Sequence, residues 1–396
     1  MTTMVLFIAG SASAKALPII VGAVTALKLS SLDYSIFISF LLLANLLSSV
    51  SVLGCTPQII SLNEPHAHSQ FNEILTSGLT CFTLACLISL GVYYLLPNAI
   101  VGFNNFSPFV VIIYSLGQFF IHAFTSKLNN KQRHTEASMA WLTFAVLSLI
   151  NLTVWYFLLD TLKQLLILLS ICSVASGVVA YVILSKSEES IFLNLNCFKF
   201  KWGTLGNTCL ISIFGLSISG VLFFLQNNVL KYNAVDGATF SFMYQIFSLI
   251  IFIPSVLGGI VVPKLIRTGH SNMVYLYYII IAVILTQTFL LAYPQVASYF
   301  NLPSFEAIKH ELLVFTIVCI LSSTNAFSNQ QIVASKNFFV LTKFALIFAT
   351  TALVTFLLNP PSLLSAWTAL GIAYIFGSIY MCTNIYFRGK LREQHR

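Results

Sequence analysis

Residues 27–37 read LKLSSLDYSIF, and residues 230–240 read LKYNAVDGATF. The pattern Leu-Lys-x4-Asp-x3-Phe occurs in both, and each copy joins two long apolar runs. A second echo follows: Pro57-Gln58-Ile59-Ile60 returns as Pro263-Lys264-Leu265-Ile266 at the far end of the next run, three residues later in the second copy. The two elements keep their order and their topological position, which reads as an internal repeat.

Working outward, the whole chain is built of such runs. It has 396 residues, 58% of them hydrophobic and 8% charged. A soluble domain carries roughly 25% charged residues, so this chain cannot clothe itself in a charged shell. A membrane-crossing helix needs about 20 mostly apolar residues. Twelve such spans can be drawn, at about 4–27, 34–58, 73–96, 107–127, 137–158, 162–184, 205–229, 237–263, 273–293, 307–331, 338–358 and 363–386. The short alternating segments of a β-barrel are absent from the pattern. The expected fold is an all-α polytopic membrane protein.

Six spans precede the repeat boundary and six follow it. The halves therefore share one orientation, a parallel repeat of two six-helix bundles around a central cavity. The expected division is 1–184 for the first bundle, 185–203 for a cytoplasmic linker, 204–387 for the second bundle and 388–396 for a basic tail. Fourteen of the nineteen lysines and arginines fall on one side of this topology, the side of both termini. The positive-inside rule then makes both termini cytoplasmic. The pI near 9 follows from these loop charges and gives no reason to expect nucleic-acid binding.

Several chemistries find no motif. There is no GxxxxGK[ST] phosphate loop, no nucleophile–base pattern and no CxxC pair among the eight cysteines. His66 and His68 share a short loop without further ligands nearby. The residues require no cofactor and no metal, and the chain reads as a non-enzyme.

Lys15 is the exception to the charge pattern. It stands in the middle of MVLFIAGSASAKALPIIVGAVTAL, residues 4–27. Ala12-Ser13-Ala14 fits a signal-peptidase site, yet no positive charge precedes it and the apolar run continues to Leu27, which speaks against cleavage. A lysine at mid-membrane costs at least ~2.5–3.5 kcal/mol. Helical spacing puts Ser11, Lys15, Pro18, Gly22 and Thr25 on one small, polar face. Every Asp and Glu falls in loops, tails or the first turns of spans, so the natural partner of Lys15 is an anionic ligand. A buried structural lysine is the competing reading.

Other polar span residues are candidates to join it: Asn45, Gln118 and His122 (i and i+4 on the fourth span), Gln245 and Asn325. Amides in membranes often serve as interhelical glue; as a set they are also the groups that hydrogen-bond sugars. The turn pairs Lys28 with Asp33 and Lys231 with Asp236 read as local ion pairs or interface anchors.

Three places resemble the Wzx-type polysaccharide flippases of the multidrug/oligosaccharidyl-lipid/polysaccharide (MOP) exporter superfamily. They are the opening, with Leu17-Pro18, Lys28, Asp33-Tyr34-Ser35 and Gly54-x2-Pro57; residues 240–267, FSFMYQIFSLIIFIPSVLGGIVVPKLIR; and residues 329–343, NQQIVASKNFFVLTK. The N-terminus lacks the basic start of many members. The resemblance implies a MATE/MOP-like fold in a bacterial inner membrane. It implies a substrate of undecaprenyl-pyrophosphate-linked oligosaccharide, such as an O-antigen repeat unit, moved to the periplasmic leaflet by alternating access. A polysaccharide polymerase and a chain-length regulator would be partners. Substrate contacts would come from Lys15, Ser11, Asn45, Gln118, His122, Gln245 and Asn325. Coupling to a H+ or Na+ gradient stays open, with His122 the proton carrier on offer. The alternative is a MATE-like or major-facilitator exporter of small molecules.

Overall fold

The structure is a computed structural model describing residues 20–62, 67–95, 107–186, 201–268, 272–300 and 302–394. Lys15, Ser11 and the loop with His66 lie outside them. The helices are α1, described over 20–28, α2 (Ser31–Ile60), α3 (Ala67–Leu95), α4 (Pro108–Asn130), α5 (His134–Leu158), α6 (Leu162–Ser185), α7 (Trp202–Tyr232), α8 (Ala234–Thr268), α9 (Asn272–Phe300), α10 (Lys309–Ala334), α11 (Phe338–Leu357) and α12 (Leu363–Gln394). Eleven of these are long and apolar enough to cross a membrane, and no strand occurs among the described residues. The fold is all-helical, as composition required.

Local signals set the helix ends. Ser30 caps α2, its Oγ accepting from the Asp33 amide at 3.1 Å. Thr161 and Gln164 close a reciprocal capping box at the start of α6. Pro108 opens α4, where its missing N–H costs nothing.

The chain divides into two compact units, Met1–Phe223 and Phe224–Arg396, so the division falls within α7. In the first unit α2 packs on α3 and α4, and α4 and α5 both pack on α6. In the second, α8 packs on α9 and α10, and α10 and α11 both pack on α12. Adding six to each helix number turns the first list into the second. The repeat read from two short sequence echoes is thus a repeat of packing.

A further copy appears where the sequences do not match. α4 ends in a turn that puts Gln132 at φ 61°, and α10 ends in one that puts Lys336 at φ 55°. Arg133 N–H donates to Leu128 O and Asn337 N–H donates to Ile332 O, each spanning five residues. Both are Schellman closures built without glycine.

Helices in lipid associate through close packing rather than through the hydrophobic effect. Gly117 on α4 shows the requirement: a Cβ there would run into the Ser173 backbone of α6. In the second unit the contact is aromatic. The buried Trp367 indole lies edge-on to Phe315 at 4.9 Å and beside Phe240 at 5.2 Å.

One local expectation is corrected here. Lys28 does not pair with Asp33. Its Nζ donates to the carbonyls of Trp155, Tyr156 and Leu159 at 2.6–3.2 Å and lies 3.1 Å from Asp160. The lysine gathers carbonyls at the end of α5, of which Trp155 O also accepts from Leu159 N–H, and meets the negative end of the helix dipole. Asp33 is taken up by Ser30, whose hydroxyl donates to it at 2.8 Å.

Candidate functional site

In the first unit the fourth helix carries the predicted polar pair. Gln118 Nε2 donates to Ser173 Oγ at 3.1 Å, and Ser173 in turn donates to Tyr114 O at 2.9 Å. This ties α4 to α6 where Gly117 lets them approach. His122, one turn on, lies edge-to-face with Trp141 of α5, ring centroids 4.7 Å apart. Gln118 and His122 are both half-buried, sharing a face as their spacing required. Asn45, on α2, is exposed.

In the second unit Asn325 of α10 donates to Ser378 Oγ at 3.0 Å and to Tyr374 O at 3.4 Å, both on α12. Gln330, nearer the end of α10, donates to Pro254 O at 2.8 Å and accepts from Tyr278 Oη at 3.0 Å. It joins three helices where Pro254 interrupts the α8 hydrogen-bond ladder. Gln245 is buried on α8, and its Nε2 has no hydrogen-bond partner among the described residues. A buried donor left unbonded costs about 1–3 kcal/mol, so it invites an acceptor.

Sequence reading missed a second polar cluster, at the basic end of the first unit. Glu73 of α3, with 5% of its side chain exposed, meets Lys201 Nζ at 2.9 Å. Gln58 of α2 donates to Thr208 Oγ1 of α7 at 2.8 Å and to Gly54 O at 2.6 Å. Ser212 donates to Val50 O. Gly54 makes room for this, since a Cβ would lie 2.5 Å from Ser212 Oγ and 3.0 Å from Thr208 O. Lys127 is fully buried, its Nζ 5.5 Å from the centre of the Phe71 ring. The available signal was slight: Glu73 opens an apolar run, and Gly54 sits four residues before Gln58.

The arrangement supplies amide donors within helical bundles and positive charge at one end. It brings Gln118 and His122 together on α4. Asn45 stands on α2 of the same unit, while Gln245 and Asn325 belong to the other unit.

No protein-family model matches the chain, and no curated protein matches it. Solved structures do. The inward-facing conformation of a multidrug resistance MATE family transporter of the MOP superfamily shares 17% identity, with 95% of this chain and 96% of that chain covered and a TM-score of 0.57. MATE in the straight conformation shares 14% identity over 98% and 95% of the two chains, at a TM-score of 0.63. An outward-facing MATE transporter of the superfamily gives 13%, 98%, 94% and 0.59. These identities speak for architecture alone, and they do so over nearly the full length: the chain has the fold of the MATE transporters of the MOP superfamily.

Proposed function

We propose that this protein is a flippase for lipid-linked oligosaccharides of the undecaprenyl-pyrophosphate class, working by alternating access in a bacterial inner membrane. The observation that carries this reading is where the acids are. Among the described residues Asp33, Glu136, Asp236 and Glu311 occupy first turns of helices. Asp160 and Glu306 lie outside the long helices, and Glu73 is held by Lys201. No described carboxylate stands at a helix centre, where an exporter of cations would hold one. Lys15, by contrast, is a cation at the centre of an apolar run. An anionic head group fits that charge pattern, and amides such as Asn45, Gln118, Gln245 and Asn325 suit a glycan.

Lys15 attracts the phosphates, the amides contact head group or sugars, and the hydrocarbon tail stays in the bilayer. His122 is the candidate carrier should a proton gradient drive the cycle. A MATE-like exporter of small molecules is the second reading, favoured by the multidrug transporters among the structural neighbours.

The test is purified protein in vesicles loaded with a fluorescent undecaprenyl-pyrophosphate oligosaccharide in the inner leaflet, with a membrane-impermeant glycosidase outside. Protein-dependent exposure of the glycan is expected. Failure of the glycan to appear, together with efflux of a cationic dye from the same vesicles, would replace the flippase by the exporter.

A further inference from the structure

α11 begins just after the turn that closes α10 and presents one exposed stripe. Phe339, Lys343, Leu346, Thr350, Val354 and Leu357 lie along it at steps of three and four. Lys343 is the one charge on that stripe. Lys336, also exposed, stands in the turn before it at φ 55°. Neither ammonium makes a hydrogen bond or ion pair among the described residues.

The depth of Lys343 is set by the length of its helix. α11 has 20 residues, about 30 Å at the helical rise, which matches the hydrocarbon core of a bilayer. Lys343 is five steps in, about 7.5 Å from the start of the helix. Helical side chains lean toward their own N-terminus, so the stem carries the ammonium back toward the interface. Its Nζ comes to rest 4.6 Å from the centre of the Phe339 ring, one turn nearer that end. This is the boundary between acyl chains and head groups.

The first unit treats the same place differently. The turn residues Gln132 and Lys336 and the helix starts His134 and Phe338 share one offset of 204 residues (336 − 132). That offset carries Lys343 to Met139, an exposed residue of α5. Beside it the turn residue Arg133 is met by an acid, its Nε donating to Glu136 at 2.7 Å. Around α11 no such acid is at hand. Residues 312–392 contain no Asp or Glu, and Glu311 stands at the far end of α10. α12 runs antiparallel to α11, since Tyr374 meets Phe348 at 4.8 Å and Gly377 faces Phe344. Its later turns therefore continue toward the end where α11 starts. They add Arg388, Lys390 and Arg392, with Glu393 alone of opposite sign.

We propose that this face of α11 docks an anionic phospholipid of the leaflet at that basic end. Lys336 and Lys343 hold its phosphate, and one acyl chain lies along Leu346. Two exposed ammoniums without an acid call for an anion, and the apolar stripe continuing below them calls for a hydrocarbon tail attached to it. The proposal is independent of the cargo and needs only that the chain spans a membrane.

The experiment uses the full chain in phosphatidylcholine nanodiscs containing a trace of phosphatidylglycerol with a diazirine in its acyl chain, followed by peptide mapping of the photoproduct. Label is expected on α11 around Leu346, and excess unlabelled phosphatidylglycerol should displace it. Lys336→Gln combined with Lys343→Gln should cut that label about tenfold or more, the scale of two lost ammonium contacts. Lys343→Arg should keep it. Equal labelling of α11 by phosphatidylcholine bearing the same diazirine overturns the proposal, as does unchanged label in a double variant that elutes as folded protein. Undecaprenyl phosphate displacing the probe better than phosphatidylglycerol does would assign the face to the cargo and also overturn it. The two probes compared on wild type decide the matter even if the double variant fails to fold.

Discussion

The Lys28 ammonium lies 3.1 Å from the Asp160 carboxylate, 132 residues away in sequence, and caps the last turn of α5 with three carbonyl contacts. The carbonyls matter more than the acid. Asp160 is 93% exposed, and an exposed ion pair contributes about 0–1 kcal/mol. Lys28→Met should therefore destabilise the detergent-solubilised protein by ~1–2 kcal/mol, and Asp160→Asn by less than ~0.5 kcal/mol. Thermal unfolding followed by tryptophan fluorescence checks this. Equal effects would assign the contact to the ion pair.

Cys81 and Cys209 offer a direct report on how α7 meets α3. Their sulfurs are 3.7 Å apart, so copper phenanthroline with dissolved oxygen should close a disulfide, the two thiols giving up two protons and two electrons, one to each of two Cu(II) centres that oxygen reoxidises. Gly54→Leu should suppress it, because its Cβ would meet Ser212 and Thr208 and push α7 away from α2. Peptide mapping of the oxidised protein reads the result. Undiminished cross-linking in Gly54→Leu would mean that α2 does not set the position of α7.

Gly117→Leu addresses the α4–α6 seam. The added side chain runs into the Ser173 backbone, and overpacking costs about 1–3 kcal/mol even where neighbours can shift. The expected outcome is a lower melting temperature or loss of folded protein on size-exclusion chromatography. Gln118→Leu at the same seam loses only the bond to Ser173 and should cost about 1 kcal/mol. Near-wild-type stability of Gly117→Leu would contradict the close approach.

Lys15 is tested in the native host. With equal membrane levels, Lys15→Ala should lower surface glycan about tenfold or more and accumulate lipid-linked units inside, the scale of one lost charge-assisted contact. Lys15→Arg should restore part of the activity. An alanine variant as active as wild type would make Lys15 structural and withdraw the anion argument.

Much of the frame was legible in the sequence, because hydrophobic run length is a local property. The spans and the repeat at Lys28 and Lys231 follow from neighbours within a few residues. The partner of Lys28 did not, since a nearby Asp33 and a distant α5 terminus compete and only packing decides between them. Burial of Glu73 and Lys127 was invisible for a similar reason: charge near a span end reads as solvated until a neighbouring helix covers it. The matching turns at Gln132 and Lys336 escaped notice because backbone hydrogen bonds hold them, leaving no shared residue to find. The shared face of Gln118 and His122 was readable from spacing, but its neighbours Ser173 and Trp141 were not.

The repeated packing has a consequence for the charge at Lys15. The two motifs are offset by 203 residues (231 − 28), which carries position 15 to Ile218. One ancestral half, duplicated, would have given both positions the same residue, and today one holds an ammonium and the other a hydrocarbon. The frame kept its symmetry while the charge did not. A repeat of packing therefore need not carry with it a repeat of side-chain chemistry.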